Sequence, residues 1–305
     1  MSTTTGTILR ALTGSGERPV VDVVRRLPAS PAEVWDALVR PERLARWVGT
    51  IESGERPAVG DAFGLRLGDE AGDRADCRLL ACEPERSIAI AWRWTDEPDS
   101  FVRVTLEPDG AGTILRLRHE LVAPQPVADY GAGWEAHLDL LGDALAGLAP
   151  RAFAMPTHET WTRMGDGVLQ LEQHVDAPID AVWRAVATED GLRSWWWRHW
   201  ADTTIDADVR PGGALRIAAP AAGILLTGEV LVADADAHHL AATWVWTDAD
   251  GTSVDEAFDV ALAVAGDGTR VTVRHSGPWA DDAPASSYRQ GWTFVLGALA
   301  DVVGR

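Results

Sequence analysis

Two kinds of side chain that can donate or accept a proton recur at matching places in this chain: His119 with His275, and Tyr130 with Tyr288, its only tyrosines. Each histidine ends an alternating run, Leu115, Leu117, His119 in one place and Val271, Val273, His275 in the other. Alternation along a strand puts the members of each run on one face, so both imidazoles point inward, opposite Arg116, Arg118 and Glu120 in the first case. Each tyrosine stands four residues before a tryptophan, Trp134 or Trp292, which on a helix is the same face. An inward histidine is commonly a core residue satisfied by a carbonyl or hydroxyl. The chemical alternative is a cavity donor or general base that orients a ligand, with the phenol as the polar end of an apolar wall. His119 and His275 are therefore the catalytic candidates. Spacing assigns no nucleophile or carboxylate to the same face, which favours binding over turnover.

These residues belong to two copies of one pattern. ASPAEVWDALVRPERLARW (29–47) matches APIDAVWRAVATEDGLRSW (177–195) without gaps; IAIAWRWTD (88–96) matches LAATWVWTD (240–248); GTILRLRH (112–119) matches GTRVTVRH (268–275). Tyr130, Gly133 and Trp134 match Tyr288, Gly291 and Trp292. The offset grows in small steps, as insertions into loops would make it. Copies of about 130 residues are too long for solenoid units and indicate a duplicated domain. The expected division is a disordered lead-in at 1–19, a first domain at 20–147, a linker at 148–166 and a second domain at 167–305. Trp161, within the linker and without a counterpart, is expected to pin it to a domain.

Within the first copy, VVDVVRRL (20–27) reads as a strand. Ser30, Pro31 and Glu33 form a helix start of capping-box type, and Val34, Trp35 and Leu38 give that helix one apolar face. Leu44 and Trp47 mark a second short helix. Five strands separated by Gly, Asp and Pro turns fill 61–122. Trp134, Leu138, Leu141 and Leu145 stripe a final helix over 130–147. The second copy repeats the order, with Asp176 as its cap, strands over 213–276 and a last helix over 285–303. Strands joined by short turns form an antiparallel sheet, whose apolar face the last helix must cover. The fold class is α+β.

Composition narrows the partners. The 46 acidic residues outweigh the 27 basic ones, for a net charge of -19, which repels phosphate backbones and anionic membranes. No apolar run reaches the roughly 20 residues that span a bilayer, and the first residues lack the pattern of a secretory leader; no membrane insertion and a cytoplasmic location are expected. Cys77 and Cys82 alternate to opposite faces of one strand, so no disulfide is expected. No metal or cofactor is expected either: His238 and His239 adjoin, His137 and His199 have no ligand one helical turn away, and no phosphate loop or nucleophile elbow occurs. Arg66, Arg216 and Arg93 fall on solvated faces.

The helix start with its VW, the L-x-x-W helix, the W-x-W strand, the T-x-L-x-L-x-H strand and the GW of the last helix together resemble the SRPBCC superfamily. More closely, they resemble its branch related to the Activator of Heat Shock Protein 90 ATPase. The resemblance covers both copies and implies two tandem helix-grip domains. In each, a curved antiparallel sheet would wrap the C-terminal helix around an apolar cavity. It implies a small hydrophobic or amphipathic ligand, with a protein-interaction or chaperone-regulator role, or a cyclase- or hydrolase-like activity on a cavity His, as alternatives.

Tryptophan completes the list of ligand-binding candidates. Five pairs, Trp35/Trp183, Trp47/Trp195, Trp92/Trp244, Trp94/Trp246 and Trp134/Trp292, account for ten of the 15 and are fold residues first. In SWWWRHW (194–200), Trp195 repeats Trp47, and Trp196 stands where the first copy has Val48. Trp197 and Trp200 lie past the second helix, where a cavity gate or an interface would be. The expected cavity walls are thus Trp92, Trp94, His119, Tyr130 and Trp134 in the first copy, and Trp244, Trp246, His275, Tyr288 and Trp292 with Trp197 and Trp200 in the second.

Overall fold

The computed structural model describes residues 8–68 and 73–304. It divides into two compact units, the first comprising residues up to Arg10 and Ser15–Thr162, the second Ala11–Gly14 with Arg163 onward.

After β1 (Ile8–Gly14), whose residues divide between the units, the first unit continues with β2 (Pro19–Leu27), α1 (Pro31–Val39), α2 (Pro41–Leu44) and a short β3 (Thr50–Ile51). The five expected strands follow as β4 (Ala62–Arg66), β5 (Arg74–Glu83), β6 (Ser87–Trp94), β7 (Ser100–Asp109) and β8 (Gly112–Glu120). They precede the long α3 (Val127–Leu145) and then α4 (His158–Asp166). The sheet runs β1-β2-β8-β7-β6-β5-β4-β3. From β3 to β8 it is an antiparallel meander, and β2 joins it beside the last strand. The second unit repeats the plan. After β9 (Val168–Val175) come α5 (Ile179–Val186), α6 (Glu189–Trp195), β10 (Thr204–Ala207), β11 (Ala214–Ala219), β12 (Ile224–Asp234) and β13 (His239–Asp248). The two-residue β14 (Gly251–Thr252), β15 (Glu256–Ala265), β16 (Gly268–Ser276) and α7 (Ala283–Val303) complete it. Its sheet order is β10-β11-β12-β13-β15-β16-β9, with β14 on β13. Both units are helix-grip domains of α+β class, in tandem.

Repeated hydrogen bonds show why the same residues recur. Trp47 Nε1 donates to Ala37 O at 3.0 Å, and Trp195 Nε1 to Ala185 O at 2.9 Å, tying the second helix of each copy to the first. Thr113 Oγ1 donates to Ala29 O at 2.7 Å and Thr269 Oγ1 to Ala177 O at 2.8 Å, fixing the last strand to the turn before the first helix. Each such bond is buried or partly buried and contributes about 1 kcal/mol net, and more is lost if one partner is left alone.

Four expectations are corrected. Of the disordered lead-in, Ile8–Gly14 is a strand with Ala11, Leu12 and Thr13 buried; residues 1–7 lie outside the described residues. The linker is not without regular structure, since it holds α4; its Trp161 pins it as expected, fully buried and donating from Nε1 to Glu135 Oε2 at 3.2 Å. Gly131 of α3 makes room for that ring, since a Cβ there would stand 2.2 Å from Trp161. The first copy keeps its capping box, with Ser30 N donating to Glu33 Oε2 at 2.9 Å, whereas α5 is capped by Pro178 with no side-chain bond, and Asp176 pairs with His174 instead. Finally, β5 carries a bulge between Leu79 and Ala81, which shifts the alternation by one residue. Cys82 therefore lines the domain interior along with Leu79 rather than facing away. Both thiols remain free, and burial pushes the Cys77 thiol up to about 12.

Candidate functional site

In both units the histidine near the end of the last strand binds the tryptophan of the long helix that follows it. Trp134 Nε1 donates to His119 Nδ1 at 2.9 Å, and Trp292 Nε1 to His275 Nδ1 at 3.1 Å. Both histidines are wholly buried. A ring nitrogen that accepts an indole N–H carries no proton, so the neutral imidazole bears its hydrogen on Nε2. In the first unit that N–H donates to Ser100 Oγ at 2.9 Å, and Ser100 passes its own hydrogen to Trp92 O at 3.1 Å. His119 thus has no nitrogen free to take a proton from a substrate, and burial pushes its pKa down to about 3. In both units the bond from tryptophan to histidine ties the long helix to the sheet.

The residues around these clamps differ between the copies. Ser100 pairs across the sheet with Trp92, and at the equivalent place Glu256 pairs with Trp244. Glu256, buried, accepts from Tyr288 OH at 2.7 Å and Trp279 Nε1 at 2.8 Å. His275 Nε2 stands 3.7 Å from its Oε2, too far for a hydrogen bond. Burial pushes the Glu256 carboxyl upward, but the His275 ring and the two donors outweigh it and hold it below the ordinary carboxylate range. In the first unit the carboxylate comes from a loop instead: Tyr130 OH donates to Glu97, and Gln125 Nε2 donates to the same oxygen at 2.9 Å. Burial, followed by the neighbouring carboxylate, pushes the Tyr130 and Tyr288 phenols well above their ordinary range, so both stay protonated donors.

Glu97, Ser100, Gln125, Glu256 and Trp279 were not among the sequence candidates. The Ser100/Glu256 exchange was the available signal, because both residues open equivalent strands. The loop carboxylate and Gln125 have no repeat partner and leave no such trace.

Each unit has an interior chamber and a mouth. In the first, an apolar interior of about 100 Å³ is walled by Val48, Leu65, Leu79, Val104, Leu117 and neighbours, with Trp92 and Trp134 at one side. A mouth of about 270 Å³ lies against Trp92, Trp94, Tyr130 and Trp134, partly lined by Phe153 and Met155. In the second unit the interior shrinks to about 20 Å³. Trp196 stands where the first copy has Val48, and Phe258, opposite His275, where it has Val102 opposite His119. The second mouth is larger, about 720 Å³, and is lined by Trp196, Trp197, Trp244, Trp246, Tyr288 and Trp292 together with Asp248, Asp250 and Asp281.

The structure therefore brings Trp92, Trp94, Tyr130 and Trp134 to one mouth and Trp197, Trp244, Trp246, Tyr288 and Trp292 to the other. It sets His119 and His275 behind these walls, and Trp200 outside the lining, against Trp197 at 5.4 Å. Trp197 adopts a left-handed backbone, φ 47°, a conformation costly for a bulky residue; Trp200 N and Thr203 Oγ1 hold its carbonyl at 2.9 and 3.0 Å. Buried indole N–H groups of Trp92, Trp196 and Trp244 have no hydrogen-bond partner among the described residues. Among those residues no three His, Cys, Asp or Glu side chains gather as metal ligands, and no helix is long and apolar enough to cross a membrane.

A family model described as Activator of Hsp90 ATPase homolog 1-like protein matches residues 28–146 and again 176–304. No curated protein matches the chain. Similar solved structures include CalU16 from Micromonospora echinospora, 29% identical over 53% of this chain and 99% of that one, with a TM-score of 0.43. DynU16, from the dynemicin biosynthetic locus, is 17% identical over 93% of this chain and 97% of its own, with a TM-score of 0.40. The Aha1 dimer from Colwellia psychrerythraea is 20% identical over 41% and 95%, with a TM-score of 0.37.

Proposed function

The chain belongs to the family of Activator of Hsp90 ATPase homolog 1-like proteins, one copy in each half, and on that premise we propose that it binds a small amphipathic molecule in its first unit without making or breaking bonds. The observation that carries this reading is the interior of about 100 Å³ between the sheet and the α1–α2 segment, with Trp134 of α3 at one side, lined almost wholly by apolar side chains. Packed cores seldom leave a void of this size, and apolar voids stay dry and accept benzene-sized guests. The Trp92 indole N–H, 2% exposed and without a partner, supplies one polar handle at the side shared with the mouth. An unpaired buried donor costs about 1 to 3 kcal/mol, which a ligand carbonyl or hydroxyl would recover. The ligand class that fits has an aromatic or short aliphatic body, one acceptor beside it and a remainder that can occupy the mouth.

Absence of turnover is supported by the ring nitrogens: both Nδ1 atoms accept tryptophan N–H bonds, and no unencumbered base lines either interior. Acetophenone is a suitable probe, because it pairs a phenyl ring with a carbonyl. It should raise the unfolding temperature of the first unit by mass action and quench tryptophan emission, and Val48→Trp, which fills the interior, should remove both effects. No shift in the wild type, or an equal shift in Val48→Trp, would refute the reading.

A further inference from the structure

The second unit's mouth has a chemistry that the first lacks. Its aromatic walls meet at right angles: Trp246 lies at 87° to Trp197 with centroids 5.6 Å apart, and at 84° to Tyr288 at 6.4 Å. Trp244 stacks parallel to Trp246 behind it, at 6.2 Å. Three carboxylates, Asp248, Asp250 and Asp281, share the lining, and no arginine or histidine does. Asp248 accepts from Trp246 Nε1 at 2.7 Å and from Asp250 N, bonds that hold it ionised, below the ordinary carboxylate range. In the first mouth the corresponding acids are already engaged, Glu97 by Tyr130 and Gln125 and Asp129 by His158 at 2.8 Å.

We propose that the mouth of the second unit, bounded by Trp197, Trp246 and Tyr288 under Asp248, Asp250 and Asp281, is a binding site for a small organic cation carrying an aromatic or aliphatic body. Aromatic faces set at right angles attract an ammonium group through their negative quadrupoles, and the carboxylates add charge at the rim, where an anion would be repelled and a hydrocarbon would gain nothing. The Trp244 indole N–H is a second, independent pointer: it belongs to the same wall, is 4% exposed and has no partner. An acceptor on the ligand, a carbonyl or hydroxyl, would satisfy it. The cation supplies charge and the acceptor supplies register, so the class is an amine or quaternary ammonium bearing an oxygen a few bonds away. This site is separate from the interior of the first unit, and either can fail without the other.

Benzoylcholine carries all three parts, and 3,3-dimethylbutyl benzoate has the same shape without the charge. Calorimetric titration of the full chain should give one benzoylcholine per chain, at least tenfold tighter than the neutral ester, with affinity falling as salt rises. The double variant Asp250→Asn with Asp281→Asn, both exposed, should weaken benzoylcholine at least tenfold and flatten the salt dependence; Trp246→Leu should also weaken it. Equal affinity for the two esters, or an unaltered double variant, would overturn the proposal. So would benzoylcholine binding that disappears in Val48→Trp but survives in the double variant, since that would put the cation in the first unit.

Discussion

The two units solve one packing problem in opposite ways. Between the sheet and the paired short helices the first leaves about 100 Å³ and the second about 20 Å³, although the bond from the long helix's tryptophan to the buried histidine repeats in both. Two substitutions carry most of the difference, Val48 against Trp196 and Val102 against Phe258. A third difference sits beside them: His137 of the first unit, bound through Nδ1 to Trp47 O at 2.8 Å, is replaced in α7 by Val295. Duplication kept the frame and let the interior diverge. The filled copy has a wide, acidic, aromatic mouth, and the hollow copy a narrower one whose acids are already paired.

Acid should separate the units most. Burial pushes His119 down to about 3, and burial, opposed by the Trp47 carbonyl, pushes His137 down to about 4. The unfolded chain binds protons at an ordinary value of about 6.5 that the folded unit refuses, so this stability is complete above pH about 6.5 and is lost as the pH falls toward the folded values. Each histidine costs roughly 1.4 kcal/mol per pH unit, or about 4 kcal/mol for the pair by pH 5. The second unit has one such histidine, His275, which burial lowers and Glu256 opposes. Calorimetry between pH 7 and 5 should show two transitions, the first unit's falling about twice as steeply; parallel slopes would break the comparison.

Opening the filled copy comes next. Trp196→Val should destabilise the second unit by about 3 kcal/mol, the range for emptying a large core site, and create a second acetophenone site measurable as a doubled stoichiometry. Unchanged stoichiometry would mean that Phe258 alone closes the interior. At the divergent strand position, Glu256→Gln should cost about 2 kcal/mol by denaturant unfolding, because an amide cannot accept from both Tyr288 and Trp279 as the carboxylate does. Ser100→Ala, the matching change in the first unit, should also cost about 2 kcal/mol, because it removes the bond to Trp92 O and leaves the buried His119 N–H without an acceptor.

Much of this frame could be read before any coordinates. The repeat located both domains, alternation turned His119 and His275 inward, and helical spacing put Tyr130 with Trp134 and Tyr288 with Trp292. What escaped had physical reasons. A bulge at Leu79/Ala81 reverses alternation with no signature in residue type, so Cys82 was placed on the wrong face. β1 and α4 are held by tertiary burial, through Ala11, Leu12 and Trp161, rather than by local pattern. Glu97 reaches Tyr130 from a loop 33 residues away, a closeness no periodicity encodes, and the unpaired N–H groups of Trp92 and Trp244 are properties of packing. The tryptophan donors to His119 and His275 are likewise a property of the folded chain that residue type alone does not display.

Xenon under pressure reports dry, apolar space directly. A crystal so treated should show xenon in the first unit, among Leu65, Leu79, Val104 and Leu117, and none in the second between Phe258 and Leu296. Equal occupancy in both interiors, or xenon in the second alone, would contradict the division of one hollow and one filled copy on which this account rests.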